Sequence, residues 1–203
     1  MKKEILAIYG GTFSPPHRGH IRAAESFLEA VSPDRLLILP ASIPPHKCPV
    51  AGASAEDRLA MCRIAFSHLP RVEISDLELR RAGKSYTVLS LRELTAPDRE
   101  LVMLVGTDML LTLDSWYMAE EIFSLAKIAV MRRESDPETS QRIDDTCRHY
   151  RERFGAKIIS VNAPAIEISS TRIREMIRGG ENVEEYITPE IEEYIRACGL
   201  YRD

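Results

Sequence analysis

The chain has little that would suit a membrane, a nucleic acid or an oxidising compartment. No apolar stretch approaches the roughly 20 residues that a membrane-spanning helix needs. A formal net charge of −4 gives no basic surface for a nucleic-acid backbone. The chain has four cysteines, Cys48, Cys62, Cys147 and Cys198. They form no C-x-x-C pair and have no spacing typical of metal ligands, which favours reduced thiols in a cytosolic protein. We therefore expect neither a membrane nor a nucleic-acid partner.

The N-terminal segment also lacks the features of a signal peptide. Lys2 and Lys3 precede an apolar run, but that run is short and two glycines interrupt it. We expect a cytoplasmic location. With 44% hydrophobic residues among 203, the chain can fill the core of one globular domain, so we predict a single domain over 1–203 with a helical C-terminal part from about 165 to 203.

Short apolar runs rich in β-branched residues alternate with helical patterns along the chain. We predict six buried parallel strands, at Ile5–Tyr9, Leu36–Leu39, Arg71–Ile74, Leu101–Val105, Ile128–Met131 and Ile158–Val161. Amphipathic helices fall between them, one with an apolar stripe formed by Ile21, Ala24, Leu28 and Val31. This alternation is typical of a doubly wound, Rossmann-like α/β fold with helices on both faces of a parallel sheet. Its ligands bind at the carboxyl ends of the strands.

The most informative segment follows the first predicted strand. It reads G-G-T-F-S-P-P-H-R-G-H from Gly10 to His20, so a strand runs into two glycines and then into a helix that begins with two histidines. Gly10 and Gly11 let the backbone turn tightly and approach a ligand where a Cβ would obstruct it. The N–H groups of the loop and of the helix start favour an anion, and His17 can join His20 as a donor. The segment predicts a phosphate-binding loop.

Each part of this segment also has a plainer explanation. Two glycines after a strand often form only a turn, and a histidine near a helix start is often a cap or a surface residue. The histidine pair could also belong to a zinc site, but no cysteine or acidic cluster lies nearby in the sequence to complete one. The segment matches neither a Walker A loop nor the G-x-G-x-x-G dinucleotide fingerprint. The complete string favours phosphate.

A second candidate segment lies near the C-terminus. Ser169, Ser170 and Thr171 precede a predicted helix that ends at Gly179–Gly180, and Arg172 follows them. Taken alone, the hydroxyls are explained as an ordinary N-cap. Beside the first segment they suggest a second helix start that binds phosphate, with Arg172 as a permanent, forked donor.

Together these segments resemble a known enzyme family. The first is similar to the signature of the H-x-G-H nucleotidyltransferases, and Ile168–Arg174 is similar to their I-S-S-T-x-I-R motif. Four elements between them resemble those of the bacterial nicotinate-nucleotide adenylyltransferase family and extend the resemblance over nearly the whole chain; they are Pro44–Lys47, Lys84–Thr87, Gly106–Asp108 and Ser115–Tyr117. The resemblance implies adenylyl transfer from ATP to nicotinate mononucleotide, with release of pyrophosphate and no covalent intermediate.

The resemblance also implies roles for individual residues. On the ATP side it assigns catalysis to His17, His20, Lys47 and Arg172. The predicted ATP contacts are these four residues and Gly10, Gly11, Thr12, Phe13, Gly106, Ser169, Ser170 and Thr171. The expected cofactor is Mg²⁺, held mainly by the ATP phosphates and water, so no metal site built from protein ligands is predicted.

On the nicotinate nucleotide side the resemblance assigns ribose binding to Asp108 and ring stacking to Trp116. Backbone N–H groups of Thr87 and Tyr117 would bind the pyridine carboxylate, and Arg133 would add a phosphate contact. The residues themselves allow plainer roles: a carboxylate after a strand is also a common helix cap, and a single tryptophan often serves in packing.

The sequence departs from the family pattern at Ser14, where the family commonly has Asp. Serine also forms turns, so we expect the shape of the loop to be kept. Two alternatives to the assigned function stay open, a sibling transferase (pantetheine-phosphate adenylyltransferase or a cytidylyltransferase) and a non-catalytic nucleotide sensor. The sequence does not determine the oligomeric state, and it is compatible with a homo-oligomer.

Overall fold

A six-stranded parallel sheet forms the centre of the molecule in a computed structural model that describes residues 2–43, 52–81, 83–132, 136–162 and 168–202. The strand order is β3-β2-β1-β4-β5-β6, so the chain leaves β1 toward one edge and returns to its other side at β4. The strands are β1 (Glu4–Gly11), β2 (Arg35–Pro40), β3 (Val72–Ile74), β4 (Arg99–Val105), β5 (Ala126–Arg132) and β6 (Ile158–Asn162). All six predicted strands are confirmed, as is the doubly wound α/β class.

Helices and a short 3₁₀ turn at Leu113–Ser115 connect the strands and complete the C-terminal part. The helices are α1 (Arg18–Val31), α2 (Ala55–Phe66), α3 (Leu77–Arg81), α4 (Thr87–Leu94), α5 (Thr107–Leu110), α6 (Ala119–Leu125), α7 (Pro137–Phe154), α8 (Ser170–Gly179) and α9 (Pro189–Cys198). Within the described part of the chain, none of them combines the length and apolar character needed to cross a membrane.

Alternating side chains of the strands feed two separate cores, one on each face of the sheet. In β4, Val102 and Leu104 face one core, whereas Met103 and Val105 face the other. Residues on both faces are buried because a parallel sheet is covered by helices on both sides, which explains the nearly continuous apolar runs in the sequence. The first core takes in α1, α2, α8 and α9, and the second takes in α4, α6 and α7.

The C-terminal part completes the first core. Ile173 of α8 and Ile191 of α9 are both fully buried there, and Tyr201, which follows α9, is only 2% exposed. Pro189 occupies the first turn of α9, where a missing N–H costs no helical hydrogen bond. The last residues therefore pack under the same face of the sheet as α1, the helix that carries the histidines.

Candidate active site

The predicted phosphate loop lies where the strand order reverses. β1 and β4 are neighbouring parallel strands, paired from Glu4↔Arg99 to Ile8↔Met103, and the connections that follow them leave toward opposite edges. Such a switch point leaves an open crevice at the carboxyl ends of the strands. Gly10 and Gly106 stand at these two ends, and a Cβ built on either glycine would meet nothing within 4 Å. At both strand ends, therefore, bare backbone faces the crevice.

Two adjoining cavities occupy the crevice. One has a volume of about 690 Å³ and the other about 420 Å³. They share a floor formed by Gly10, Gly11, Thr12, Leu104, Gly106 and Met109. A molecule in one cavity can therefore contact a molecule in the other above these residues. A site of this form can hold two ligands with their reacting ends in contact.

The smaller cavity is lined by the predicted phosphate-binding residues. Of the ATP contacts predicted from sequence it brings together Gly10, Gly11, Thr12, Phe13, His17, His20, Gly106, Ser169, Ser170 and Thr171. Two segments separated by about 150 residues thus form one wall each. Among its described lining residues there is no carboxylate, so the polar groups are histidines, hydroxyls, backbone amides and an arginine. This set of donors suits a ligand with several negative charges.

The two histidines are held against each other. His17 is the N-cap of α1 with an extended backbone, and it is only 5% exposed. Its ring stacks on that of His20 with centroids 3.7 Å apart. The Nδ1 atom of His20 accepts a hydrogen bond of 3.2 Å from the His17 backbone N–H, so in this arrangement its proton belongs on Nε2. His20 is therefore oriented as a donor through Nε2.

The glycine pair does not form the turn that the sequence predicted. Gly10 and Gly11 continue β1, in register with Leu39 and Pro40 of β2, and neither has a positive φ. The left-handed residue is Phe13, with φ 49°. A Cβ on Gly11 would lie 2.9 Å from the Phe13 ring, so Gly11 is needed because this ring packs directly over it. The strand therefore continues to Gly11, and the chain turns at Phe13.

Phe13 connects this packing to the histidines. Its ring lies edge-on to His20, with centroids 5.1 Å apart, and to Phe66 at 5.9 Å. The ring is 1% exposed, so it fixes the position of His20 from the core side. Phe13 was predicted as an ATP contact, and it lines the smaller cavity. Its ring also contacts the ring of Tyr9, so it packs within the loop and the core that supports it.

The start of α8 faces the loop, and its hydroxyls divide into two roles. Ser169 is the N-cap and accepts a hydrogen bond of 3.2 Å from the Arg172 backbone N–H, which confirms the plainer explanation for this residue. Ser170 instead donates to the carbonyl of Pro15 at 2.9 Å. Thr171 accepts a hydrogen bond of 3.1 Å from the guanidinium of Arg174. Capping and loop support are thus combined in three consecutive residues.

Arg172, predicted as a phosphate contact, points away from the cavity. Its side chain is 55% exposed and its guanidinium lies 3.2 Å from Glu181 and 3.8 Å from Glu175. Arg174 lines the smaller cavity instead, and its Nη1 donates to the Ser14 carbonyl at 2.8 Å. The sequence held the signal, because Arg174 matches the last arginine of the I-S-S-T-x-I-R motif, whereas Arg172 occupies its variable position.

The larger cavity holds the residues that were predicted for the nicotinate nucleotide. Thr87, Asp108, Trp116 and Tyr117 all line it. Thr87 is the first residue of α4, so its N–H belongs to the donors that a helix start leaves without an intrahelical partner. Asp108 is exposed and is not a cap, since Gly106 is the N-cap of α5. Trp116 both packs against the second core and faces the cavity.

The larger cavity also contains a buried carboxylate that the sequence did not reveal. Glu78 is 8% exposed and accepts a hydrogen bond of 2.6 Å from the Ser90 hydroxyl. Both residues line the cavity, and no lysine or arginine is among its described lining residues. The guanidinium of Arg81 stands behind this pair, 3.2 Å from the Ser90 oxygen. No motif marked Glu78, which becomes a wall residue only through the packing of α3 on α4.

Two of the predicted contacts, Lys47 and Arg133, lie outside the described residues. Their roles stay predictions. Within the described ranges, no group of three or more histidine, cysteine or acidic side chains could hold a metal ion.

A buried arginine supports the rim shared by the loop and β2. Arg58 of α2 is 4% exposed, and it donates to the carbonyls of Thr12 at 2.9 Å, Ala41 at 2.6 Å and Ser42 at 3.1 Å. Burial lowers the pKa of Arg58 from its ordinary value. The guanidinium stays charged at neutral pH, because the ordinary pKa of arginine lies far above neutrality. Three strand-end carbonyls are thus tied to one fixed cation.

Comparisons with known proteins agree with this geometry. The cytidylyltransferase-like family matches residues 8–176. A relative from Synechococcus sp. (strain JA-3-3Ab), described as "Probable nicotinate-nucleotide adenylyltransferase", is 38% identical over 98% of this chain and 95% of its own length. A Shigella boydii relative with the same description is 33% identical, over 98% of this chain and all of its own length.

The fold is also found in a solved structure. The nicotinic acid mononucleotide adenylyltransferase of Plasmodium falciparum, complexed with NaAD, superposes with a TM-score of 0.73 over 98% of this chain and 97% of its own, at 18% identity. The sequence relatives along nearly the whole length, together with the match to the cytidylyltransferase-like family, lead to one conclusion. The chain belongs to the nicotinate-nucleotide adenylyltransferase family, whose members are nucleotidyltransferases.

Proposed function

We propose that this enzyme transfers the adenylyl group of ATP to nicotinate mononucleotide in the biosynthesis of NAD. The products are nicotinate adenine dinucleotide and pyrophosphate. The observation that carries the proposal is the pair of cavities above one shared floor, one rich in hydrogen-bond donors for an anion and the other lined by aromatic and hydroxyl groups. ATP phosphates suit the smaller cavity, and the pyridine ring suits the larger. The cytoplasm stays the location predicted from the sequence.

In the proposed reaction an oxygen of the 5′-phosphate of nicotinate mononucleotide attacks the α-phosphorus of ATP. A phosphorus–oxygen bond forms there, and the bond from the α-phosphorus to the leaving pyrophosphate breaks on the opposite side. Such a transfer needs positioning and neutralisation of charge more than covalent chemistry by the protein. The described residues fit this need, because they supply donors around the smaller cavity and no nucleophile is required.

Individual residues take the following proposed roles. His17 and His20 contact the ATP phosphates, and His20 donates from Nε2 to the charge that develops in the transition state. Arg174 replaces Arg172 as the arginine of the α8 site, because Arg174 alone of the two lines the cavity. Lys47 stays a predicted mobile cation.

The nicotinate side is proposed to recognise an anionic ring. Trp116 stacks on the pyridine, and the N–H groups of Thr87 and Tyr117 bind its carboxylate. Asp108 accepts hydrogen bonds from the ribose hydroxyls. Arg133 stays a predicted phosphate contact.

Mg²⁺ is proposed to enter with ATP. The smaller cavity fits this arrangement, because its described lining offers no carboxylate for a direct metal ligand, so phosphate oxygens and water would hold the ion. When bound, the ion supplies positive charge that offsets the charge of the phosphates. The chain's own contribution is to hold the phosphates in line.

The test is a comparison of acceptors in the presence of ATP. We expect kcat/KM for nicotinate mononucleotide to exceed that for nicotinamide mononucleotide at least ~10²-fold, because a carboxamide would turn a donor toward one of two backbone N–H groups and leave it unpaired. Dinucleotide and pyrophosphate are both measured. Equal values would overturn the preference for the acid, and turnover only with 4′-phosphopantetheine would identify the sibling transferase.

A further inference from the structure

The C-terminal end of the described chain reaches the phosphate loop. The hydroxyl of Tyr201 lies 2.9 Å from the hydroxyl of Ser14, and the two residues are 2% and 1% exposed. They are 187 residues apart in sequence. Ser14 also lines the smaller cavity. A buried hydroxyl pair here is not needed to cap a helix or close a sheet, so its structural effect falls on the loop.

Three groups from two separate parts of the chain hold the same two residues of the loop. Tyr201 contacts the Ser14 hydroxyl, Arg174 donates to the Ser14 carbonyl at 2.8 Å, and Ser170 donates to the Pro15 carbonyl at 2.9 Å. Arg174 and Ser170 belong to α8 and line the cavity themselves. Tyr201 is therefore the member of this set that supports the loop from outside the cavity.

The loop can transmit the position of Ser14 to the histidines. Pro15 and Pro16 alone separate Ser14 from His17, and the ring of each proline fixes its φ near −65°. Because these two torsion angles are restricted, a shift of Ser14 is passed on to the start of α1. His17 is the N-cap of that helix and stacks on His20.

Tyr201 is itself held firmly. Its backbone N–H donates to the Gly52 carbonyl at 3.2 Å. A Cβ on Gly52 would lie 3.1 Å from the Cα of Tyr201, so the two backbones approach more closely than a side chain at position 52 would allow. Burial raises the pKa of Tyr201 to about 12, which keeps its hydroxyl protonated at neutral pH. The side chain is thus a fixed, neutral hydrogen-bonding group.

We propose that Tyr201 is a positioning residue that sets the phosphate loop, and through it His17 and His20, by its hydrogen bond to Ser14. This inference rests on the proposed ATP site. Ser14 stands where the family commonly has Asp, and in this chain Tyr201 is the hydrogen-bond partner of that serine. Tyr201 touches no substrate in this assignment and acts only through the loop.

The test compares Tyr201→Phe with Tyr194→Phe. Each substitution removes one tyrosine hydroxyl from the C-terminal segment, and Tyr194 bonds to Asp57 at 3.1 Å without lining either cavity. Affinity for a non-hydrolysable ATP analogue is measured by calorimetry, and melting temperature alongside. We expect Tyr201→Phe to weaken analogue binding about tenfold and to lower kcat with ATP and nicotinate mononucleotide, since small misplacements of a site are costly. Tyr194→Phe should keep wild-type affinity.

A second variant guards against misfolding. Ser14→Ala removes the other hydroxyl, so it should weaken analogue binding to a similar extent, and the double variant should be no worse than either single one. Additive losses, or a lowered melting temperature of Tyr201→Phe with wild-type affinity and KM, would overturn the positioning role. A wild-type protein that binds the analogue but forms no dinucleotide would contradict the proposed function and leave the affinity test intact. A wild-type protein that does not bind the analogue would contradict both.

Discussion

The two cavities differ in how their walls are held in place. In the smaller cavity the loop carbonyls of Thr12, Ser14 and Pro15 accept hydrogen bonds from α2 and α8, and these hydrogen bonds are partly buried. The larger cavity ends in aromatic side chains at the surface, with Tyr117 54% exposed and in ring contact with Tyr86 at 4.8 Å.

This difference follows from what each cavity is proposed to bind. Charge developing on phosphate is stabilised effectively by donors that are already in position, because the free energy of moving them into place would offset the stabilisation that they provide. A flat ring is recognised largely by area and stacking, which tolerate small displacements. Substitutions in the smaller cavity should therefore affect turnover or ATP binding, and those in the larger cavity should weaken binding of the nicotinate nucleotide with little change in turnover.

The largest expected effect tests the smaller cavity. His20→Ala removes the oriented Nε2 donor, so kcat should fall about 10²-fold or more while the affinity for ATP falls less. Steady-state kinetics with both substrates measures the two effects. His68→Ala is the control, since His68 is exposed and lines neither cavity. A variant at position 20 with near-normal kcat would remove His20 from the catalytic group.

The next effect distinguishes the two arginines of α8. Arg174→Lys keeps the charge but loses the guanidinium fork and its contact with Ser14, so the KM for ATP should rise about 30-fold. Arg172→Lys should change this KM less than about twofold, because its partners are Glu181 and Glu175 on the surface. The reverse order would restore Arg172 as the phosphate contact.

A smaller effect is expected in the larger cavity. Trp116→Ala removes the proposed stacking surface, so the KM for nicotinate mononucleotide should rise about tenfold. The KM for ATP should stay the same, and kcat should change little. If kcat fell as steeply as it does for His20→Ala, the division between turnover and binding would not hold.

The smallest effect lies at the opposite end of the sheet. Glu4 bonds to Arg99 at 2.8 Å and to Arg35 at 2.9 Å, and these guanidinium groups hold the pKa of its carboxyl below its usual value. A lowered folded-state pKa stabilises the fold above the unfolded value of about 4.3, and this contribution is lost as the pH falls further. Glu4→Gln should therefore make the free energy of unfolding fall less steeply below about pH 4.5.

Urea unfolding at several acidic pH values measures this slope. Turnover at pH 7 should be unchanged in Glu4→Gln, because Glu4 lies at the amino end of β1 and both cavities lie at its carboxyl end. Altered kinetics at pH 7 would mean that the two ends of the sheet are coupled.

Most of the fold and much of the site followed from local sequence. Strands buried on both faces of a parallel sheet appear in the sequence as short apolar runs, so all six were predictable. The predicted and observed strand ends differ by a few residues at most. The glycine and serine motifs lie next to strand ends and helix starts, which fixed their place at the carboxyl edge of the sheet.

The features that sequence did not reveal depend on orientation or on distant contacts. For the arginines of α8 the motif position of Arg174 was the signal in the sequence, and the physical reason lies in orientation: Arg172 and Arg174 lie about 200° apart around a helix of 3.6 residues per turn, so the side of α8 that faces the loop decides between them. Glu78 faces the cavity only because α3 packs beside Ser90. The hydrogen bond between Tyr201 and Ser14 joins residues from nearly opposite ends of the chain, and no local pattern encodes it.

The common floor of Gly10 and Gly106 has a consequence for ligands that span both cavities. Once one half of such a molecule is bound, the other half is confined near its own cavity at a high effective concentration, set by the length and stiffness of the linkage. The dinucleotide product is itself such a molecule. It should therefore bind more tightly than either of its mononucleotide halves, and a short, correctly spaced two-headed compound should inhibit far better than its separate parts.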